Sequence, residues 1–64
     1  MNPATALALA AADGSTVTVV DGDRVNTGTV AEHPTIPNIY AIRPLGRARA
    51  YNVMPDDVAE VIFE

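Results

Sequence analysis

The stretch "STVTVVDGDRVNTGTVAEH", residues 15–33, decides the fold class of this 64-residue chain. It is rich in β-branched residues, which favour strands, on both sides of a turn signal at Asp21-Gly22-Asp23. Gly28, inside the second half, indicates a break or bulge in that strand. The stretch therefore predicts an antiparallel hairpin at the start of a mainly β domain.

A short helix precedes this hairpin. Asn2 is a favoured N-cap, Pro3 suits the first helical position, and Gly14 suits a left-handed C-terminal cap. Leu7 and Leu9 lie two positions apart, so the helix lacks the regular apolar stripe that would define one docking face. A helix this short must nevertheless pack on something. We favour a lid over its own domain; the alternative is an arm that uses Leu7 and Leu9 as contacts with a neighbouring subunit.

Turn signals follow at close intervals down the rest of the chain. The two prolines of residues 34–38 predict a loop, Pro55 to Val58 a single helical turn, and Glu60 to Phe63 a last strand. With a hairpin over residues 39–51, this pattern predicts one domain over residues 1–64. In it, residues 1–14 form a helix or arm and residues 15–64 a small β-barrel or sandwich.

Two stretches, "VDGDRVNTGTVAEH" (20–33) and "IYAIRPLGRARAYNVMPDDVAEVIF" (39–63), carry a family resemblance. A Gly-Asp-x-Val entry at Gly22, a Gly-Thr-Val strand start at Gly28, a central hairpin and a Pro-Asp-Asp turn at Pro55 resemble the Src-homology-3-like small barrel. This group includes KOW, Tudor and Sm-like domains. The resemblance implies a five-stranded barrel, and a helix ahead of five strands is similar to the Sm-like layout. The Sm-like RNA-binding signature is not recognisable.

The hairpin "YAIRPLGRARAY", residues 40–51, holds three of the four basic residues. A two-residue turn at Leu45-Gly46 would pair Pro44 with Arg47, whereas a three-residue turn would pair Arg43 with Arg47. We predict the three-residue turn, because proline suits its first position and Gly46 its left-handed one. One face would then be apolar and the other would carry the arginines. The apolar face would comprise Tyr40, Ile42, Ala48 and Ala50, and the other Ile39, Ala41, Arg43, Arg47, Arg49 and Tyr51.

Arginines facing each other need an anion nearby, because like charges directly opposite destabilise a strand pair. An internal carboxylate is the simpler source and a phosphate or a partner's carboxylate the functional one. The internal candidates are Asp56, Asp57, Glu60 and Glu64, and the candidate partner-binding residues are Arg43, Arg47, Arg49 and Tyr51.

The amino-acid composition limits the classes of function that we expect for this chain. The chain has no cysteine and a single histidine, His33, so neither disulfides nor a structural zinc site is expected, and association is the remaining way to stabilise so small a domain. No cofactor motif or acid–base constellation is visible, so we expect neither a cofactor nor an enzyme. His33 is expected to be a solvent-exposed residue at a strand end, and Asp56 and Asp57 to cap a helical turn. A net charge of −4 disfavours nucleic acid, because a polyanion is repelled outside the arginine hairpin.

The sequence therefore predicts a non-catalytic protein-interaction or assembly module, binding a protein partner or forming a homo-oligomer. A KOW-like or Sm-like nucleic-acid-binding module is the alternative, and an acidic inhibitor that mimics nucleic acid is a weaker one. No segment is apolar enough to span a membrane. Arginine as the only strong base, with abundant alanine, is typical of a GC-rich genome such as an actinobacterium or its phages. The expected location is the cytoplasm or a virion.

Overall fold

A computed structural model describes residues 1–46 and 49–64 of the chain. They form five antiparallel strands in one sheet and one N-terminal helix, which confirms the predicted mainly β class. In chain order the elements are α1 (Pro3–Asp13), β1 (Val17–Asp21), β2 (Arg24–Glu32), β3 (Tyr40–Pro44), β4 (Tyr51–Val53), a 3-10 turn (Pro55–Asp57) and β5 (Glu60–Phe63). Within the described residues, no helix is long and apolar enough to cross a membrane.

The predicted caps bound α1. The side chain of Asn2 accepts a hydrogen bond from the Thr5 amide at 2.8 Å, which satisfies one of the donors left free at a helix start. Gly14 takes the left-handed conformation with φ of 69°, and its amide donates to the Ala10 carbonyl at 2.9 Å. Local chemistry alone therefore defines both helix ends.

The strand order in the sheet is β4-β3-β2-β1-β5. Each strand pairs antiparallel with its neighbour, and β1 lies between β2 and β5. A closed barrel would require β4 to pair with β5. In the described part of the chain, these two strands are the edges of the sheet. The observed architecture is thus a five-stranded sheet.

The two faces of the sheet differ in composition. The face that α1 covers, called here the core face, carries the buried apolar side chains. The opposite face, called here the outer face, carries Thr18, Val20, Val25, Thr27, Arg43 and Ile62 by strand alternation. The buried cluster consists of Leu7, Ala10, Val17, Val19, Val30, Tyr40, Ile42, Val53 and Val58.

The helix closes the core of its own chain. It packs against β2, β5 and the 3-10 turn, with Leu7 fully buried and Leu9 40% exposed. This is the geometry of the lid. Leu7 is therefore unavailable as a contact with a neighbouring subunit, and of the two leucines only Leu9 reaches the surface.

The solvent-accessible surface area is 4119 Å². A folded monomer of 6.7 kDa is expected to expose about 3,900 Å². The single chain is therefore about as compact as a free-standing monomer of its size. Any self-association must be driven by specific surface features, because there is no large shortfall of burial for a partner to supply.

The predicted register of the arginine hairpin is wrong. The structure pairs Tyr40 with Val53 and Ile42 with Tyr51, so Tyr51 shares the core face instead of the arginine face. Ala50, predicted to be in the core, is exposed. The observed register places Val53 and Tyr51 where the predicted one placed two alanines, and larger side chains remove more apolar surface from water. Arg47 and Ala48 lie outside the described residues, and so does their predicted pairing.

Gly28 does not interrupt β2. It pairs with Val17 on one side and Pro44 on the other, and β2 runs unbroken through it. A Cβ atom at this position would overlap the carbonyl oxygen of Arg43 and lie 2.8 Å from the Cα atom of Pro44. The glycine therefore permits the close approach of β2 and β3, which is a different role from the predicted break or bulge.

Candidate interaction surfaces

The structure separates the residues predicted to bind a partner. Arg43 is exposed on the outer face, opposite Thr29, and Arg49 is exposed just before β4. Tyr51 lies half-buried on the core face, and Arg47 is outside the described residues. The predicted surface of three arginines and a tyrosine is thus not assembled by the residues that the structure describes, since Arg43 and Tyr51 lie on opposite faces.

Tyr51 instead belongs to a polar cluster at the turn between β1 and β2. Its hydroxyl accepts a hydrogen bond from the Asn26 amide at 2.9 Å, and the Arg24 guanidinium lies 4.1 Å from the centre of its ring. Arg24 also donates to Asp21 at 2.9 Å. The structure confirms the predicted turn at Asp21-Gly22-Asp23. Gly22 has φ of 59°, and this conformation lets Asp21 and Arg24 pair directly across the turn, which makes their ion pair possible. The sequence gives no signal for the partnership with Tyr51, which lies more than twenty residues away.

The carboxylates predicted to neutralise the hairpin arginines form no ion pair with them in the described part of the chain. The ion pair found there is Arg24 with Asp21, whose side chains are 54% and 13% exposed. Arg43 and Arg49 form no described salt bridge with Asp56, Asp57, Glu60 or Glu64. Asp56 and Asp57 lie in the first turn of the predicted helical segment, which is a 3-10 turn, but no side-chain hydrogen bond caps its start as predicted.

Replacing Tyr51 with phenylalanine should lower the free energy of unfolding by about 1 kcal/mol, because the half-buried Asn26 amide loses its acceptor while the ring stays in place under Arg24. Urea denaturation followed by circular dichroism measures this loss. The matched control is Tyr40→Phe, since the Tyr40 hydroxyl has no described side-chain hydrogen bond. Equal losses in the two variants would contradict a specific contribution from the Asn26–Tyr51 bond.

The outer face carries a patch of three apolar residues and two threonines, called here the outer patch, in which Val25 and Ile62 are exposed and the others half-buried. It comprises Thr18, Val20, Val25, Thr27 and Ile62. Val25 is 63% exposed and Ile62 44% exposed. At its centre the hydroxyls of Thr18 and Thr27, a cross-strand pair, are hydrogen-bonded to each other at 2.7 Å. Sequence alternation predicts exposed residues on this face, but the gathering of these five depends on the pairing of three strands.

Two charges flank the outer patch symmetrically. Glu60, on β5, lies one strand outward from the central pair and is paired with Val20, two residues beyond Thr18. Arg43, on β3, lies one strand outward on the other side and is paired with Thr29, two residues beyond Thr27. Because β1 and β2 are antiparallel, the two charges lie in opposite directions from the Thr18–Thr27 pair. The outer face is thus negative at one end of this diagonal and positive at the other.

His33 has a structural role that the sequence analysis missed. Its Nδ1 atom accepts hydrogen bonds from the amides of Thr35 and Ile36, at 3.2 and 3.0 Å, and the residue is half-buried instead of fully exposed. The neutral ring that accepts at Nδ1 carries its proton on Nε2. The His-Pro-Thr-Ile sequence is the available signal, because Asn or Asp before such a turn caps the following amides in the same way.

No group of three or more potential metal-ligating side chains is found among the described residues. Comparisons of the chain with protein-family models, with curated proteins and with solved structures found no match.

Proposed function

We propose that this chain is a non-catalytic protein-interaction or assembly module that self-associates through its outer face. The observation that carries the proposal is the symmetric placement of Glu60 and Arg43 about the outer patch. A surface that is its own complement is what a two-fold dimer requires, since each contact occurs twice.

A two-fold axis that lies in the plane of the contact, above the Thr18–Thr27 pair and perpendicular to the Glu60–Arg43 diagonal, exchanges the positions of Glu60 and Arg43. Two copies stacked face to face about this axis bring Glu60 of each copy to Arg43 of the other. The same arrangement covers Val25 and Ile62, which together supply the apolar centre of the contact. The central threonine hydroxyls already bond to each other, so covering them costs less than burying two unpaired hydroxyls.

The placement of Tyr51 makes nucleic-acid binding the weaker alternative. Single strands are commonly held by aromatic stacking beside basic residues. In this chain the guanidinium of Arg24 covers the ring of Tyr51, and that ring lies on the core face, whereas Arg43 lies on the outer face. The Src-homology-3-like barrel, the acidic-inhibitor alternative and a location in the cytoplasm or a virion stay predictions from the sequence.

Charge reversal tests the dimer. Glu60→Arg or Arg43→Glu alone places like charges together at two symmetric contacts, and each should weaken self-association about tenfold or more. The double variant restores opposite charges and should recover most of the lost affinity. Sedimentation equilibrium over a wide concentration range measures the dissociation constants.

Glu32→Arg is the matched control, because it makes the same change of charge on the other side of the sheet. It should leave self-association within about twofold of the unmodified chain, allowing for screened long-range effects. A monomer at every concentration would overturn the proposal. Loss of association in the double variant equal to that in the single ones would exclude this geometry.

A further inference from the structure

Two adjoining cavities form a groove beside the loop between β2 and β3. One, of about 280 Å³, lies between Glu32 and Ile36, and the other, of about 290 Å³, lies between Ala4 and Asp56. Asn38 and Ile39 line both cavities. The lining residues, which define the groove, extend from the end of β2 to the 3-10 turn.

The groove has a mixed polar and apolar lining, and hydrogen bonds within the chain hold the loop beside it. Ile36, 51% exposed, offers a large apolar side chain to a ligand in the first cavity, and Met54, 47% exposed, does so in the second. His33 holds the loop through the amides of Thr35 and Ile36. Asn38 takes the left-handed conformation with φ of 63°. A loop held in one conformation lowers the entropic cost of binding.

The strongly charged groups that line the groove are both acids. Glu32 lies in the first cavity and Asp56 in the second, and no arginine is among the described lining residues. Each cavity thus combines a large exposed apolar side chain with a carboxylate, which is complementary to a segment whose apolar residues are flanked by cations. We propose that this groove binds a peptide segment of another protein in which apolar residues are flanked by arginine or lysine. The proposal is independent of the dimer, because Glu32 and Asp56 lie off the outer patch.

The test is a titration of the full chain with the amidated peptide acetyl-Arg-Leu-Val-Leu-Arg, followed by amide chemical shifts. The largest shifts should fall at the amides of Ile36, Asn38, Ile39, Met54 and Asp56, since Pro37 and Pro55 have no amide proton. The same peptide with glutamate in place of each arginine should bind much more weakly. Neutralising either groove acid, by Glu32→Gln or Asp56→Asn, should weaken binding about two- to fivefold, as expected for one solvent-exposed ion pair.

Asp13→Asn is the matched control, since it removes the same charge about 14 Å from Ala4 along the helix. It should leave the affinity unchanged, whereas Met54→Ala, at an exposed position, should weaken binding without unfolding the chain. Equal binding of the arginine and glutamate peptides would overturn the proposed ligand class. Absence of shifts in the groove, or shifts confined to Val25 and Ile62, would overturn the site.

Discussion

Replacing Leu7 with alanine should lower the free energy of unfolding by about 2 to 5 kcal/mol. Leu7 is fully buried in one cluster with Val17 and Val19, so truncation removes apolar burial and leaves a cavity under the helix. A domain of this length has a total stability of only about 3 to 10 kcal/mol, so the variant should be largely unfolded at moderate temperature. Thermal and urea denaturation followed by circular dichroism measure the effect.

Leu9→Ala is the matched control on the same helix. Leu9 is 40% exposed, so the same truncation should cost only a fraction of the Leu7 value. A helix that acted as an arm on a neighbouring subunit would instead make the loss from Leu7 depend strongly on protein concentration. Similar losses in the two variants, or a loss from Leu7 that vanishes on dilution, would contradict the lid.

Gly28→Ala should be the second strongly destabilising change, with a loss of about 3 kcal/mol or more. The added methyl group would overlap the Arg43 carbonyl and press on the Cα atom of Pro44, both backbone atoms that cannot rotate aside. Relief requires β2 and β3 to separate, which weakens the pairing on which the sheet depends. Urea denaturation measures the loss, and amide hydrogen exchange should show β3 opening first.

The control for this change is Gly14→Ala. Gly14 has a left-handed φ of 69° but open space around a Cβ atom, so alanine there costs only the backbone strain of about 1 to 2 kcal/mol. The comparison separates the cost of a clash with the neighbouring backbone, at Gly28, from the cost of a left-handed backbone conformation, at Gly14. If Gly14→Ala proved the more damaging of the two, the close approach of β2 and β3 at Gly28 would not be a determinant of stability.

Local signals determined the elements whose ends they occupy. Asn2 and Gly14 bound the helix because capping needs only residues adjacent in sequence. Gly22 fixed the first hairpin in the same way. Each of these depends on chemistry within a few residues, so the sequence alone was sufficient.

The tertiary structure decided what depends on distant segments. Turn chemistry favoured a register that buries Ala50, but the sheet as a whole buries more apolar surface by placing Val53 opposite Tyr40 and Tyr51 opposite Ile42. That choice took Tyr51 away from the arginines. The candidate surfaces follow from the same cause: strands from separate parts of the chain form the outer patch, and a loop and a turn far apart in sequence form the groove. Such neighbours are selected by burial summed over the whole sheet, which no local stretch encodes.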